Sequence, residues 1–150
     1  MDLDKIREIN QKLEEKNFVD QEINIQAGKD FKFLCNKLGF NTFVDVNYQK
    51  VNDSMGRPIA EFFIMGQNLS GDKVVLPGQY INTENSNLYV AVVGYIDSKP
   101  VDIYVFKTSD FAKAGLFSMY KYNKKTNDYM IKLPNEEKLK LYSFGYVFKK

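Results

Sequence analysis

The stretch Asn87–Phe106, NLYVAVVGYIDSKPVDIYVF, constrains the fold more than any other part of the chain. Leu88 to Ile96 is almost continuously apolar and rich in Val and Tyr, the pattern of a strand covered on both faces. Val101, Ile103 and Val105 then alternate with Asp102, Tyr104 and Phe106, and the Asp97-Ser98-Lys99-Pro100 stretch between the two runs is turn chemistry. The stretch therefore predicts a hairpin that supplies the centre of a sheet.

The flanking segments set the order of elements. Leu3, Ile6, Ile9 and Leu13 recur at three- and four-residue steps behind Asp2 and Asp4, which predicts an amphipathic helix closing at Asn17. Ala27, Phe31, Leu34, Cys35 and Leu38 form a second helical stripe that stops at Gly39, with 18–24 as a connector. From Phe40 the period becomes two. Thr42, Val44, Val46 and Tyr48 face one way and Phe43, Asp45, Asn47 and Gln49 the other, which predicts a strand over 42–49, a turn through Val51–Pro58 and a second strand over Ile59–Met65. Further strands are expected at Lys73–Leu76 and Gln79–Ile81. A short helix capped by Thr108 or Ser109 follows, then a peripheral hairpin of Met119–Tyr122 and Tyr129–Leu133, and a last helix opening at Pro134. This order gives an α+β domain spanning residues 1–150, with N-terminal helices, a central mixed sheet of about five strands and short C-terminal helices.

Composition narrows the chemistry. The chain has no histidine, which removes Ser-His-Asp and Cys-His nucleophile systems, His-ligated zinc and imidazole acid–base catalysis. Carboxylate, lysine and tyrosine chemistry remain. The single Cys35 precludes an internal disulfide and lies on the apolar stripe of the second helix as a small hydrophobe. With no apolar run near ~20 residues, the expectation is a soluble cytoplasmic protein that enters no membrane. Charge is uneven: residues 1–106 hold 11 basic and 15 acidic groups, a net −4, whereas 107–150 hold 10 basic and 4 acidic, a net +6. The C-terminal part is thus the one suited to an anionic surface.

If the first hairpin pairs symmetrically about Ser54, Asn47 lies opposite Glu61 and Asp45 opposite Phe63, so Asp45 and Glu61 become diagonal neighbours on one face. Two acids so placed can hold Mg²⁺ for phosphodiester hydrolysis, since the ion takes oxygen ligands, polarises the phosphate and activates water. A slip of one residue would instead put them on opposite faces as solvated carboxylates. The basic segment offers a second site. Lys121, Tyr122, Lys124 and Lys125, with Lys132 nearby and Tyr120 and Tyr129 flanking, mix cations with aromatics as a single-strand groove does, or ride a solvated hairpin tip.

A helix ending at Gly39, strands at 42–49 and 59–65, and the run NLYVAVVGYIDSKPVDIYVFKTSDF resemble small bacterial proteins of the PD-(D/E)XK restriction-endonuclease-like superfamily. The resemblance covers roughly 28–148 and is carried by Leu88–Val93, Pro100–Phe106, Thr108–Phe111, Ile131–Leu133 and Leu139–Phe144. It implies an Asp followed by acid-x-Lys on the next strand, the lysine positioning the attacking water. Asp45 and Glu61 match the acids, but the position two after Glu61 is Phe63, and Ile59–Met65 contains no lysine. The resemblance therefore implies a degenerate, non-enzymatic core that contacts nucleic acid or a nucleoprotein partner in a bacterial or mobile-element setting. The rival readings are an active Mg²⁺-dependent nuclease using Asp45 and Glu61, and a protein-interaction or inhibitor module that needs no cofactor.

Overall fold

In the computed structural model the described residues are 3–15, 22–43, 46–69, 73–77, 87–109, 120–132 and 140–148. Two helices lead the chain, α1 (Leu3–Glu15) and α2 (Glu22–Lys37). Five strands, β1 (Asn41–Phe43), β2 (Tyr48–Asn52), β3 (Pro58–Asn68), β5 (Leu88–Ile96) and β6 (Lys99–Lys107), form a sheet in the order β1-β2-β3-β5-β6. β3 and β5 run parallel and the other neighbours antiparallel, so the sheet is mixed. Three more strands, β4 (Lys73–Pro77), β7 (Tyr120–Asn123) and β8 (Asp128–Lys132), make a second sheet in the order β4-β8-β7. The chain then turns through a 3₁₀ segment (Lys140–Tyr142) into the short helix α3 (Phe144–Val147), whose N-cap is Ser143. The architecture is α+β, as the sequence order predicts.

The β5–β6 hairpin forms as expected, with β5 between β3 and β6. Residues 90–95 of β5 are buried without a break, so both faces of the strand are covered. Its connection is tighter than the four-residue stretch predicted. Asp97 and Ser98 alone make the turn, with φ of 51° and 64°, the left-handed pair a two-residue hairpin needs. Pro100 is tolerated because β6 is an edge strand.

The predicted strand over 42–49 is two strands, β1 and β2, which pair antiparallel with Thr42 opposite Val51. Asn47 and Gln49, which the alternation sets on the face opposite Val44 and Val46, are buried under α2. Asn47 Nδ2 donates to the carbonyls of Asn24 (2.7 Å) and Ile64 (2.9 Å), and Gln49 Nε2 to those of Gly28 (3.0 Å) and Val46 (2.6 Å). Gly66 N–H in turn donates to Asn24 Oδ1 at 3.0 Å. Lys73–Pro77 also departs from expectation by joining the second sheet with β8. The expected strand at Gln79–Ile81, the short helix after Ser109 and most of the helix opening at Pro134 lie outside the described residues. Thr108, offered as a helix cap, is buried and donates its hydroxyl hydrogen to the Leu88 carbonyl.

The face of the main sheet beneath α2 carries an aromatic cluster. Phe62 of β3 meets Phe31 of α2 at 5.2 Å and Phe144 of α3 at 5.6 Å between ring centroids, and Phe40 meets Phe144 at 5.2 Å. Cys35 is buried in the same cluster, and burial pushes its thiol above the usual range, as suits a packing residue. At the end of β2 that lies beyond its pairing with β1, Asn10 of α1 pairs with Tyr48 as another strand would, its Nδ2 donating to Tyr48 O (2.9 Å) and its Oδ1 accepting from Tyr48 N–H (2.8 Å).

α2 approaches the main sheet closely at two glycines, Gly66 and Gly28. A Cβ on Gly66 would stand 2.7 Å from Ile23 O, and one on Gly28 would stand 3.1 Å from Val46 O. Gly66→Ala must push helix backbone away from strand backbone and is expected to lower unfolding stability by about 1–3 kcal/mol, with Gly28→Ala costing less. Urea unfolding of both variants measures this, and a Gly66→Ala variant as stable as the parent would refute the close contact.

Candidate functional site

The first hairpin does not have the symmetric register. Tyr48 pairs with Phe63 and Lys50 with Glu61, while Asn47 O accepts from Ile64 N–H. Asp45 lies outside the described residues, and the pairing that would have made it a diagonal neighbour of Glu61 is not the one formed. The turn between the strands is built on Asp53, whose Oδ1 accepts from Met55 and Arg57 N–H at 2.9 Å each and whose Oδ2 accepts from Arg57 Nε at 3.0 Å. The hydrogen bond from Arg57 N–H, ahead of the other contacts, holds the Asp53 carboxyl below the usual carboxylate range.

The observed register places Lys50, rather than any residue of β3, directly across from Glu61, so the two project from one face. Lys50, one residue past the strand predicted over 42–49, is within β2. Glu61 is 8% exposed and accepts from the Tyr48 hydroxyl at 3.3 Å. Burial, reinforced by the Glu61 carboxylate, pushes the Tyr48 phenol far above its ordinary range, so it stays protonated as a donor. Phe63, at the position where the superfamily pattern has lysine, is fully buried. Glu61, Lys50 and Tyr48 thus form a carboxylate–ammonium–phenol row at the start of β3. Among the described residues no three Asp, Glu, Cys or His side chains gather as a metal site. Asp102 is half-buried and its Oδ1 accepts from Ile103 N–H at 2.8 Å, a local backbone contact.

The basic residues meet at the β7–β8 hairpin. Its strands pair Lys121 with Met130, Tyr122 with Tyr129, and Asn123 with Asp128. Since side chains alternate faces, Lys121, Asn123, Asp128, Met130 and Lys132 share one face, and Tyr122 and Tyr129 the other. An open concavity of about 640 Å³ lies on the lysine face, walled by Lys121, Asn123, Asp128 and Met130 and by Lys124 and Lys125 of the tip, with Tyr122 also touching it. The tip is ordered by its own amides: Lys125 N–H donates to Asn123 Oδ1 at 3.0 Å, and the Tyr122 hydroxyl donates to Asn127 Oδ1 at 2.8 Å. Asn127 has φ of 53°, and the Tyr122 and Tyr129 rings lie 4.9 Å apart.

The structure therefore brings Lys121, Lys124 and Lys125 together around one hollow and sets Lys132 on the same face. Asn123, Asp128 and Met130 were not singled out in the sequence, although period-two counting from Lys121 and from Lys132 reaches all three. Comparison with protein-family models and with curated proteins gives no match in either case. No described helix is long and apolar enough to cross a membrane.

Tyr48→Phe removes a donor from a buried carboxylate and is expected to cost about 1–2 kcal/mol in urea unfolding near neutral pH. A Tyr48→Phe variant of parental stability would show that the phenol does not hold Glu61.

Proposed function

We propose that this chain is a non-enzymatic binding domain, with a degenerate restriction-endonuclease-like core, that contacts nucleic acid or a nucleoprotein partner through the lysine face of the β7–β8 hairpin. The observation that carries this reading is the open hollow with Lys121, Lys124 and Lys125 on its wall and one acid, Asp128, among them. Lysines on a shallow exposed surface suit a polyanion, because each phosphate neutralised releases condensed counterions. The net +6 of residues 107–150 supports the same partner class. The buried Phe63, which leaves β3 without the lysine of the acid-x-Lys pattern, supports binding without cleavage. Titration of fluorescent oligonucleotides should give micromolar binding at low salt, and a Lys121/Lys124/Lys125→Ala variant should lower the salt slope by about one unit per contact removed. No binding at low salt with micromolar protein would overturn the reading and favour a protein-interaction module.

One observation favours a second reading, that of a metal-dependent nuclease. Lys50, opposite Glu61, puts an ammonium on the same face as the carboxylate from the neighbouring strand. The binding reading predicts no cleavage of DNA or RNA by pure protein with Mg²⁺ or Mn²⁺. Metal-dependent cleavage that disappears in both Glu61→Ala and Lys50→Ala variants that remain folded would establish the second reading instead.

A further inference from the structure

We infer that the lysine face of the β7–β8 hairpin grips the sugar–phosphate backbone of a nucleic acid without stacking on its bases, an inference that rests on the nucleic-acid reading above. In sequence the segment interleaves lysine and tyrosine, the composition of a single-strand groove in which cations hold phosphates while rings hold bases. The strand pleat separates the two. Lys121 stands opposite Met130 on one face, with Lys132 two residues along from Met130, while Tyr122 stands opposite Tyr129 on the other. A base stacked on Tyr122 would have to send its phosphates around β7, an edge strand of its sheet, to reach Lys121.

The tyrosines are also engaged with each other and with the turn. Their rings lie 4.9 Å apart across the strands, and the Tyr122 hydroxyl is held by Asn127 at 2.8 Å. Such a cross-strand aromatic pair stabilises a hairpin. Around the hollow the groups beside the cations are Asn123, Thr126, Asp128 and Met130, while Tyr122, which also lines it, has its ring paired with Tyr129 and its hydroxyl held by Asn127. With that ring engaged, the hollow presents chiefly point charges and amide hydrogen bonds, chemistry that fits phosphate and sugar oxygens and is indifferent to base identity.

The test compares two labelled single strands of equal length, about 20 units so as to exceed a ~4–16 nucleotide site. One is oligo(dT); the other is the same backbone with every base replaced by hydrogen. Because base–aromatic stacking is worth about fivefold or more in affinity per base, backbone-only binding predicts Kd values for the two strands that agree within about twofold. It also predicts that Tyr122→Leu, in a variant shown by circular dichroism to be folded, changes the affinities for oligo(dT) and for the abasic strand by the same factor, since any loosening of the tip on losing the Asn127 contact acts on both alike. Oligo(dT) binding at least about fivefold tighter than the abasic strand, with the advantage lost in Tyr122→Leu, would overturn this inference and leave the nucleic-acid reading standing. No binding of either strand at low salt would remove both.

Discussion

The structure depends on how α2 is fixed to the main sheet, and amides rather than apolar contacts do the fixing. Hydrophobic burial is non-directional, so Phe31 against Phe62 would allow the helix to slide or rotate by some ångströms. Hydrogen bonds from Asn47 to the Asn24 carbonyl, from Gln49 to the Gly28 carbonyl and from Gly66 N–H to Asn24 Oδ1 permit neither. They bind one end of the helix at three points, and Gly28 and Gly66 let the backbones come close enough for the bonds to form. The arrangement is costly if incomplete. Gln49 uses both amide hydrogens, while its Oε1 is buried without a hydrogen-bond partner among the described residues. With the helix so placed, Asp30 meets the Tyr95 hydroxyl at 2.6 Å, and Phe31 and Cys35 enter the core.

The β5–β6 hairpin was legible because a Val- and Tyr-rich apolar run bounded by turn residues marks a strand buried on both faces. The helices were legible from their spacing, and α2 extends back to Glu22 across part of what reads as connector. The strand over 42–49 was misread for a definable reason: alternation separates apolar from polar residues, but it does not tell a solvated amide from one buried against helix carbonyls. Asn47 and Gln49 look the same in sequence either way.

The hairpin register failed in two separable steps. Asp53 builds a turn with Asp53 N–H bonded to Arg57 O, centred on Met55 rather than Ser54, which moves the pairing by two residues. A bulge between Val51 and Asn52 adds a third. The bulge changes the parity, so Lys50 instead of Gln49 shares a face with Glu61. No propensity marks a bulge of this kind in the sequence. The lysine–tyrosine segment is the opposite case. Its face separation follows from counting by two, whereas composition alone merges the two faces.

The two candidate surfaces differ in what each would need before acting. The Glu61 carboxylate is nearly enclosed, with Phe63 two residues on and Leu88 directly across in β5, and it accepts from a phenol held in its protonated form. A divalent ion there would have to displace the Tyr48 contact and bring several of its own oxygen ligands into an apolar surround, at the cost of stripping water from both charges. The lysine face needs no such rearrangement. Lys121, Lys124, Lys125 and Lys132 are all exposed, and the turn that carries two of them is set by Asn123 and Asn127 before any ligand arrives. Ordering the tip in advance lowers the entropy lost on binding, which for flexible lysine side chains on an unstructured loop would offset much of the phosphate attraction. On these grounds the proposed recognition at the second sheet would ask less rearrangement of the structure than chemistry at the first.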